Sequence, residues 1–341
     1  MIKVSVVILN YNGCALLRKF LPGVIQCSGD AHIVIADNAS TDDSYTVLEK
    51  EFPGVELIQV GSNLGFCGGY NHALKKITAD YYVLLNSDVE VTPGWLDPLT
   101  KILNENPRVA AVQPKVLSYH QRNAFEYAGA AGGFIDTLGY PFCRGRLFYA
   151  IEEDHGQYND SRSIFWASGA CMMVRAELFH AVDGLDEDFF AHMEEIDLCW
   201  RLQRAGHHIW YEGKSTVYHV GGGTLSVTNP YKTYLNFKNG LSLLFKNLPS
   251  DELAIKFPVR ILLDWVASLK FTLSGSFLDG LSVMKAHWHF FGNWGKEKTR
   301  RKNAAKFGYK KLSSQFQGSI VWDFFVAGKR KYAQLKVQKT A

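Results

Sequence analysis

The first part of the chain alternates short apolar runs with amphipathic segments. Four runs are rich in Val, Ile and Leu and carry almost no charge, which predicts buried β-strands at residues 4–9, 32–36, 55–60 and 81–85. The segments between them have helical character, as at residues 15–25 and 70–77. Strands that alternate with helices predict an α/β fold with a mostly parallel, doubly wound sheet.

Each predicted strand ends at a polar residue or a glycine: Asn10, Asp37, Gly61 and Asn86. Open α/β sheets bind ligands at the carboxyl edge of the strands, so these ends are candidates for a binding site. The most informative group is Asn86-Ser87-Asp88, because a carboxylate there suits a divalent metal that holds a diphosphate. A plain polar turn is the structural alternative.

Two further polar groups follow the second and third strands. Asp37 and the adjacent Asn38 could accept the N3–H of a uracil or thymine ring, although a helix cap explains this pair as well. The run Gly65-Phe66-Cys67-Gly68-Gly69 is flanked by Asn63 and Asn71. Glycines let backbone amides approach phosphate oxygens, and the helix start favours anions. The spacing is not the dinucleotide-binding fingerprint.

The second half of the chain adds a run of acids. On a helix, Glu194, Asp197 and Arg201 share a face, which predicts a surface ion network. Glu195 points elsewhere and is then left to face a cleft as a general base. Downstream, His219 precedes a glycine triplet, and its imidazole can complete the coordination of the predicted metal.

Length and composition describe an ordinary globular protein. The 341 residues are 47% hydrophobic and 21% charged, and this length predicts about two domains. The six cysteines show no paired spacing, which favours reduced thiols in a cytosolic protein over disulfides or a zinc site. No signal-peptide cleavage site and no uncharged apolar stretch of 18 residues is present, so we do not expect a spanning helix.

The net charge of +4 conceals a division of the chain. Residues 1–230 hold 17 basic and 27 acidic side chains, whereas residues 231–341 hold 20 and 6. The predicted domains follow this change: a catalytic domain over 1–230 and a helical region over 231–341. The basic region suggests an anionic partner, for which a membrane surface is favoured over nucleic acid because no nucleic-acid module is present.

Two amphipathic helices are predicted in the basic region, over residues 253–271 and 277–291. The first has apolar residues at 255, 259, 262, 266 and 269, and Lys256, Arg260 and Asp264 on another face. Pro258 fits best in a first helical turn. The apolar faces could lie on an anionic leaflet or pack on the catalytic domain, and both alternatives stay open. Residues 118–165 are irregular and predict a loop insertion over the site.

Seven motifs occur in the order that is typical of glycosyltransferase family 2, and the chain resembles that family, in particular its rhamnosyltransferase-like group, over roughly residues 4–225. The motifs are Val6-Val7-Ile8-Leu9-Asn10-Tyr11-Asn12-Gly13, Asp37-Asn38-Ala39-Ser40-Thr41-Asp42, Asn63-Leu64-Gly65-Phe66, Leu84-Leu85-Asn86-Ser87-Asp88-Val89, Trp166-Ala167-Ser168-Gly169-Ala170, Gly184-Leu185-Asp186-Glu187-Asp188-Phe189-Phe190 and Glu194-Glu195-Ile196-Asp197-Leu198-Cys199-Trp200-Arg201. The resemblance implies a glycosyltransferase A fold. It also implies an inverting transfer, dependent on Mg²⁺ or Mn²⁺, from a nucleotide sugar to a hydroxyl of a cell-surface polysaccharide or lipid-linked glycan. It favours dTDP-rhamnose as donor and leaves UDP-sugars open.

The resemblance also assigns roles. Asp37 matches the acid that reads the base, Asp88 the last acid of the metal motif, Glu195 the catalytic base and His219 the metal-binding histidine. Two positions depart from the family pattern: Asn86 replaces an Asp of the metal motif, and Glu195 replaces an Asp. The predicted donor-binding residues are Asn10, Asp37, Asn38, Asn63, Gly65, Asn71, Asn86, Ser87, Asp88 and Trp166.

Two other functions compete with this interpretation. A sugar-phosphate nucleotidyltransferase would need a basic Gly-rich loop after the first strand, where this chain has Asn10-Tyr11-Asn12-Gly13-Cys14. A non-catalytic nucleotide-sugar-binding protein would not need Glu195 beside a metal site. The family resemblance predicts a cytoplasmic enzyme, peripheral on the membrane if the basic region binds lipid.

Overall fold

A computed structural model describes residues 2–221 and 229–337. Its centre is a nine-stranded sheet in the order β11-β13-β6-β12-β4-β1-β2-β3, with β5 added beside β13. The strands are β1 Val4–Asn10, β2 His32–Asp37, β3 Glu56–Gln59, β4 Tyr81–Asn86, β5 Val89–Val91, β6 Val109–Ser118, β7 Gly133–Ile135, β8 Pro141–Cys143, β9 Arg146–Leu147, β10 Ala150–Ile151, β11 Ser161–Ile164, β12 Cys171–Arg175 and β13 His208–His219.

Eleven helices of the described residues surround this sheet or follow it. They are α1 Cys14–Cys27, α2 Ser44–Glu51, α3 Gly65–Leu74, α4 Leu96–Glu105, α5 Ala176–Ala181, α6 Glu194–Arg204, α7 Pro230–Asn247, α8 Ser250–Leu273, α9 Phe277–Gly292, α10 Trp294–Ala304 and α11 Ile320–Phe325. None of the helices within residues 2–221 and 229–337 combines the length and the apolar character that a bilayer crossing requires.

The parallel half of the sheet carries the predicted strand ends to one edge. Strand β1 pairs in parallel with β2 and with β4, and its apolar residues are buried on both faces, as expected for parallel strands. In this register Asn10 lies opposite Asp37, and Leu9 lies opposite Asn86. The mostly parallel α/β sheet with polar strand ends along one rim is therefore confirmed.

The other half of the sheet contains antiparallel pairs. Strand β12 runs antiparallel to both β4 and β6, and it joins the two halves. Residues 208–219 form one strand, β13, whose pairing with β6 has an irregularity between Glu212 and Thr216. Its last residue, His219, lies opposite Val89 and therefore close to the end of β4.

The prediction of a loop insertion over residues 118–165 is wrong. This segment forms a second sheet, in the order β10-β9-β8-β7, and the edge strand β11 of the main sheet. Its aromatic rings pack on the C-terminal region: Phe142 lies 5.5 Å from Phe316, and Phe148 lies 4.9 Å from Phe324, between ring centroids. Strands of two to four residues are too short to give a period that the sequence could reveal.

The C-terminal helices share the core of the sheet domain. Leu241, Leu244 and Phe290 are fully buried and belong to the same apolar cluster as the residues of β7 and β8. Helix α8 is longer than predicted, and Pro258 lies in its interior rather than in its first turn. Pro258 cannot donate to the carbonyl of Ala254, but both residues are exposed, so water can reach that carbonyl.

Candidate active site

Asn10 and Asp37 form a buried pair at the carboxyl edge. Asn10 Nδ2 donates to Asp37 Oδ1 at 3.1 Å and to Ser40 Oγ at 3.0 Å, and the amide of Ser40 donates to Asp37 Oδ2 at 3.0 Å. Asp37 therefore ties its own turn and does not cap α2, which begins at Ser44. The Oδ1 atom of Asn10 is buried and has no hydrogen-bond partner among the described residues, so it can accept a bond from a ligand.

Gly13 opens the space next to Asn10. A Cβ at this position would lie 2.5 Å from Asn10 Oδ1 and 3.6 Å from Ser87 Oγ. Only glycine leaves this space unfilled. Ser87 and Asn10 thus border one small opening between the ends of β1 and β4.

The predicted metal ligands are in direct contact. His219 Nε2 lies 3.1 Å from Asp88 Oδ1, and the Nδ2 atom of Asn86 lies 3.4 Å from the same His219 nitrogen. The other ring nitrogen, Nδ1, lies 3.5 Å from Oε1 of Glu126. Asp88, His219 and Glu126 are all buried. The glycine triplet after His219 lies only in part within the described residues.

Neighbouring charges shift the pKa values of Asp88 and His219. Burial by itself would raise the pKa of Asp88, but the hydrogen bond and charge of His219 lower it below its ordinary value. Burial would lower the pKa of His219, but the two carboxylates, Asp88 first and Glu126 second, raise it to about 10. A cationic imidazole therefore stands beside the carboxylates of Asp88 and Glu126. A divalent cation could supply this positive charge in its place.

The donor set fits such a cation. Two neighbouring ligands of an octahedral metal, each at about 2.1 Å, lie about 3 Å apart, close to the observed separation of Asp88 and His219. A site of three or more His, Cys, Asp or Glu ligands is absent from residues 2–221 and 229–337. Two protein ligands suit a metal that takes its remaining oxygens from substrate phosphates and water.

Glu195 lies in the first turn of α6, and one oxygen of its carboxylate is buried without a partner among the described residues. The residue is partly exposed, and its Oε2 atom has no hydrogen-bond partner within the described part of the chain. Burial raises the pKa of Glu195 to about 7. The neighbouring Glu194 is more deeply buried, and burial, followed by the charge of Glu195, raises its pKa well above the ordinary value. Of the two carboxylates, Glu195 is the one that a substrate can reach.

A tight turn at residues 168–170 connects Glu195 to the end of β4. A Cβ on Gly169 would lie 3.8 Å from Cβ of Glu195, so the two residues are adjacent. The carbonyl of Ala170 accepts from the amide of Asn86 at 3.0 Å. Glu195 thus lies next to one side of this turn. Asn86, the first residue of the predicted metal motif, lies next to its other side.

The predicted surface ion network is corrected in two respects. Arg201 Nε does donate to Asp197 Oδ2 at 2.7 Å, but both side chains are buried, and Lys246 of α7 joins them at 2.9 Å from Asp197. Glu194 takes no part in it. The network links α6 to the C-terminal region, and it therefore has a structural role.

The loop before Glu195 is strained and held from outside. Phe190, His192 and Met193 all have left-handed φ angles, between 64° and 73°. Nδ2 of Asn239, a fully buried residue of α7, lies 2.8 Å from the carbonyl oxygens of both Ala191 and His192 and 3.0 Å from that of Phe189. Strain of this kind persists only where the surroundings enforce it, and here Asn239 does so.

Comparison with known proteins decides the family. The model of glycosyl transferase family 2 matches residues 5–182, which is more than half of the chain. The chain belongs to glycosyltransferase family 2. The predicted resemblance is therefore confirmed.

Two relatives of this family 2 protein are rhamnosyltransferases. It is 41% identical over 217 residues to rhamnosyltransferase WbbL of Escherichia coli (strain K12), which covers 61% of this chain and 80% of that protein. It is 28% identical over 233 residues to N-acetylglucosaminyl-diphospho-decaprenol L-rhamnosyltransferase of Mycobacterium tuberculosis (strain ATCC 25618 / H37Rv), which covers 63% and 75%. These two relatives support the predicted resemblance to the rhamnosyltransferase-like group of the family.

Solved structures share the fold. The mannosyltransferase PcManGT from Pyrobaculum calidifontis, in complex with GDP-Man and Mn²⁺, superposes with a TM-score of 0.52 at 14% identity and covers 89% of this chain and 86% of that one. GalNAc-T7 with UDP, GalNAc and Mn²⁺ superposes with a TM-score of 0.56 at 16% identity; it covers 72% of this chain and 49% of that one. The family 2 chain therefore has the predicted glycosyltransferase A fold.

Four of the predicted donor-binding residues have other partners in this family 2 structure. Asn38 holds the loop at residues 63–65: its Nδ2 donates to Asn63 Oδ1 at 3.1 Å and to the Gly65 carbonyl at 3.0 Å. Asn63 Oδ1 also accepts from the Gly65 amide at 2.9 Å. The next two amides, of Phe66 and Cys67, donate to the carbonyl of Phe190. In this conformation the loop amides are occupied, so they do not offer a phosphate cradle.

Gly65 instead allows its loop to pack closely against Phe190. Its φ is +70°, and a Cβ there would lie 2.5 Å from the ring of Phe190. Asn71 likewise clamps another loop: its Nδ2 donates to the Leu185 carbonyl at 2.8 Å and to Glu187 Oε1 at 3.0 Å. Both residues shape the loop that precedes α6 in this structure, and their contact with the donor stays a prediction.

Trp166 is a core residue rather than a donor contact. Its side chain is buried against Gly133, where a Cβ would lie 2.1 Å from the indole ring, and its Nε1 donates to the Phe134 carbonyl at 2.9 Å. The motif that begins at Trp166 therefore contributes to the candidate site through the turn at residues 168–170, which adjoins Glu195 and Asn86. The indole anchors that turn to the second sheet.

Sequence reasoning missed Glu126 and Asn239. Glu126 follows β6 in a segment with no regular pattern, and nothing in its neighbourhood marks it as a partner of His219. Asn239 stands 44 residues beyond Glu195 on a helix of the basic region. Only the packing of α7 against the loop at residues 189–192 reveals its role.

Proposed function

We propose that this family 2 protein is an inverting, metal-dependent glycosyltransferase that moves a sugar from a nucleoside diphosphate to an acceptor hydroxyl. The observation that carries the proposal is the contact of Asp88 with His219 at the carboxyl edge of the sheet. Glu195, whose Oε2 has no hydrogen-bond partner among the described residues, lies on the other side of the turn at residues 168–170. The proposed metal site and the proposed base would thus both lie near the end of β4. Residues 1–230 would form the catalytic domain.

The donor would lie along the strand ends. Asp37 has two lone-pair positions left after its bonds to Asn10 and Ser40, so its carboxylate can accept the N3–H of a pyrimidine base. Asn10 Oδ1, Ser87 and Asn86 border the space between Asp37 and Asp88, where ribose and diphosphate would lie. Asp88 and His219 would hold Mg²⁺ or Mn²⁺, which when bound neutralises charge that develops on the leaving diphosphate.

Glu195 would act on the acceptor. Its carboxylate would take the proton of the acceptor hydroxyl while that oxygen attacks the anomeric carbon from the face opposite the diphosphate. The bond between the anomeric carbon and the diphosphate oxygen breaks in the same step, and the nucleoside diphosphate leaves. A base with a pKa of about 7 is well matched to proton transfer near neutral pH. The longer side chain of Glu, relative to the Asp of the family pattern, places the acceptor about one methylene further from α6.

We infer that dTDP-rhamnose is the donor, since two relatives are rhamnosyltransferases; UDP-sugars are the second candidate. The acceptor would be a lipid-linked glycan or a growing cell-surface polysaccharide, in keeping with the diphospho-decaprenol acceptor in one relative's name. Such a reaction would take place on the cytoplasmic face of a membrane. Nucleic acid has no place in this proposal.

Thermal unfolding with dTDP, UDP and GDP, each with and without Mn²⁺, tests the donor site. We expect a Mn²⁺-dependent rise in midpoint with dTDP or UDP, because a ligand that binds only the native state stabilises it. The matching sugar nucleotide then goes into a transfer assay with a lipid-linked acceptor. Stabilisation without transfer would favour a binding protein, and release of pyrophosphate from dTTP and a sugar phosphate would favour a nucleotidyltransferase.

A further inference from the structure

Helix α8 exposes an apolar stripe to the outside and buries two charged residues, although Phe257 of the same helix lies in the core. Its apolar residues at 255, 259, 262, 266 and 269 are all exposed, Leu262 by 62% and Val266 by 63%. Its charged residues Arg260 and Asp264 are buried. A helix at a water-exposed surface normally buries its apolar stripe. These five positions, in contrast, do not pack on the catalytic domain.

A buried polar network fixes this orientation. Arg260 Nε donates to Asp264 Oδ1 at 2.7 Å, and its Nη1 donates to the carbonyls of Leu138 and Gly139, each at 3.2 Å. The hydroxyl of Tyr140 donates to Asp264 Oδ1 at 2.9 Å. A rotation of α8 that buried its apolar face would leave this ion pair without partners, which is costly. The outward position of the apolar face is therefore built into the fold.

The neighbouring helix continues the exposed surface. Helix α9 packs against α8 at Gly280, whose carbonyl accepts from Ser268 Oγ at 2.9 Å. Gly280 allows this approach, since a Cβ there would lie 2.3 Å from Thr272 Oγ1. We call the exposed apolar side chains of the two helices the outer face: Ile255, Val259, Leu262, Trp265, Val266, Leu269, Leu273, Phe277, Leu278, Leu281, Met284, Trp288 and Phe291.

Helix α11 adds to the same side of the molecule. Trp322, Phe325 and Val326 are exposed, and Nζ of Lys270 lies 4.3 Å from the ring centroid of Phe325. An exposed apolar surface of this extent is uncommon on monomeric proteins that contact only water. It indicates a surface that is normally covered.

The charges around the outer face indicate the partner. Between residues 255 and 291 the acids are Asp264, which is buried, and Asp279, which accepts from Thr233 Oγ1 at 2.6 Å. Lys270 and Lys285 are exposed beside the outer face and have no ion-pair partner within 4.0 Å among residues 2–221 and 229–337. The region from 231 onward has 20 basic and 6 acidic residues. An apolar face rimmed by lysines is complementary to an anionic, not to a neutral, surface.

We infer that the outer face docks on an anionic lipid bilayer, with α8 and α9 lying in the plane of the headgroups. Apolar helices with Lys on their margins bind such interfaces by burial of apolar area and by charge. Trp265, Trp288 and Trp322 would sit at the headgroup level, the position that tryptophan favours in membranes. The inference rests on the exposure and charge of these helices and does not depend on the proposed function.

The outer face lies close to the proposed catalytic residues. Helix α7 lies between α9 and the loop that precedes Glu195: Tyr234 of α7 contacts His289 Nδ1 at 3.0 Å, and Asn239 of the same helix holds Ala191. A bilayer on the outer face would thus lie one helix away from Glu195. This arrangement would present the site to a lipid-linked acceptor without extraction of its lipid.

Flotation with vesicles tests the docking. The full chain is mixed with vesicles of phosphatidylcholine containing about 30% phosphatidylglycerol, and with vesicles of phosphatidylcholine alone. The variant Leu262→Ser/Val266→Ser/Leu269→Ser removes apolar groups that are exposed, so folding should be retained. The matched control Ile2→Ser/Ile25→Ser/Tyr45→Ser removes three exposed apolar side chains elsewhere.

We expect wild type and control to bind anionic vesicles equally, and the α8 variant to bind at least about 10-fold more weakly. Lipids brominated near the headgroup should quench tryptophan fluorescence in the wild type and less in the variant. Equal binding of variant and wild type, or equal binding to neutral and anionic vesicles, would overturn the inference. So would a lipid-independent dimer, seen by sedimentation, that the α8 variant abolishes, because it would assign the outer face to a second copy.

Discussion

His219 stands between two carboxylates: its Nε2 lies 3.1 Å from Asp88 Oδ1, and its Nδ1 lies 3.5 Å from Glu126 Oε1. A metal-binding imidazole commonly donates its second N–H to a carboxylate, which fixes the tautomer and the ring orientation. Glu126 is in the right place to do this for His219. In the proposed function, Nδ1 of His219 would donate to Glu126, which orients the ring, and Nε2 would bind the metal.

Replacement of Glu126 by Gln should weaken metal binding without removing a ligand. An amide can still bond to His219 but no longer supplies charge, and losses of about 10- to 100-fold in metal affinity are typical of such changes. Titration of Mn²⁺ in the presence of dTDP, followed by electron paramagnetic resonance, measures this. Glu90→Gln is the matched control, because Glu90 is engaged with Arg122 at the surface. An unchanged Mn²⁺ affinity in Glu126→Gln would remove Glu126 from the site.

Loss of a metal ligand itself should have a larger effect. In Asp88→Asn and His219→Ala we expect the Mn²⁺-dependent part of the thermal stabilisation by nucleoside diphosphate to disappear, because each change leaves one protein ligand. Stabilisation by the nucleotide alone should remain in part. A Mn²⁺ effect of wild-type size in both variants would place the metal elsewhere.

The activity should rise with pH through about 7, the pKa of Glu195. Below this value Glu195 is protonated and cannot accept the proton of the acceptor, so kcat should fall about tenfold per pH unit on the acid side. Stopped-rate assays between pH 5 and pH 9 give the profile, with unfolding monitored separately at each pH. An acid limb near pH 4.5, the ordinary range of a glutamate, would show that burial does not tune this group.

The same pKa has a consequence for stability. Glu195 loses its proton near pH 4.5 when the chain is unfolded and near pH 7 when it is folded, so the unfolded state binds fewer protons in that window and stability falls as the pH rises through it. In Glu195→Gln this part of the fall is absent. We expect the variant to gain roughly 1 to 3 kcal/mol relative to wild type between pH 5 and pH 8, measured by urea unfolding. A parallel pH dependence in both proteins would contradict the raised pKa.

Asn239 should control the chemical step from outside the site. Its amide holds the carbonyls of Phe189, Ala191 and His192, so Asn239→Ala releases the strained loop in front of Glu195. We expect a loss of about 1 to 3 kcal/mol in stability. We also expect a kcat reduced at least about tenfold with an unchanged KM for the donor, and a shifted acid limb of the pH profile.

Ser242→Ala provides the control for Asn239. Ser242 lies on the same helix and donates to Glu297 at 2.9 Å, so its loss also removes a buried hydrogen bond of α7 but leaves the loop untouched. Wild-type kcat in Ser242→Ala with reduced kcat in Asn239→Ala would separate positioning from general destabilisation. Equal kcat in the two variants would leave Asn239 a purely structural residue.

The sequence predicted the parts of the molecule that repeat a regular pattern. Uncharged runs of β-branched residues indicated β1, β2 and β4, and the polar residues after them indicated the edge where Asp37 and Asp88 lie. Other features depend on contacts between distant segments. Glu126 approaches His219 through the irregular segment after β6. The amides of Phe66 and Cys67 donate to the Phe190 carbonyl, a partner that a glycine-rich run alone could not reveal.

Helix α8 shows a different limit of the sequence. Its period predicted an amphipathic helix correctly, but a period does not state which face is covered. Arg260 and Asp264 could be recognised as the inner face only once Tyr140 and the carbonyl of Leu138 were seen beside them. Likewise, the helical spacing of Glu194, Asp197 and Arg201 predicted a surface ion network, whereas the fold buries Asp197 and Arg201 and adds Lys246 to them.

If Glu195 is the base of the proposed metal-dependent sugar transfer, its replacement by Gln should abolish proton acceptance and leave donor binding intact. Transfer from the sugar nucleotide that stabilises the protein is measured in wild type and in Glu195→Gln, with donor binding determined for both. We expect equal donor affinity in the two proteins and a transfer rate reduced at least about 100-fold in the variant. Near wild-type transfer by Glu195→Gln would contradict this role of Glu195.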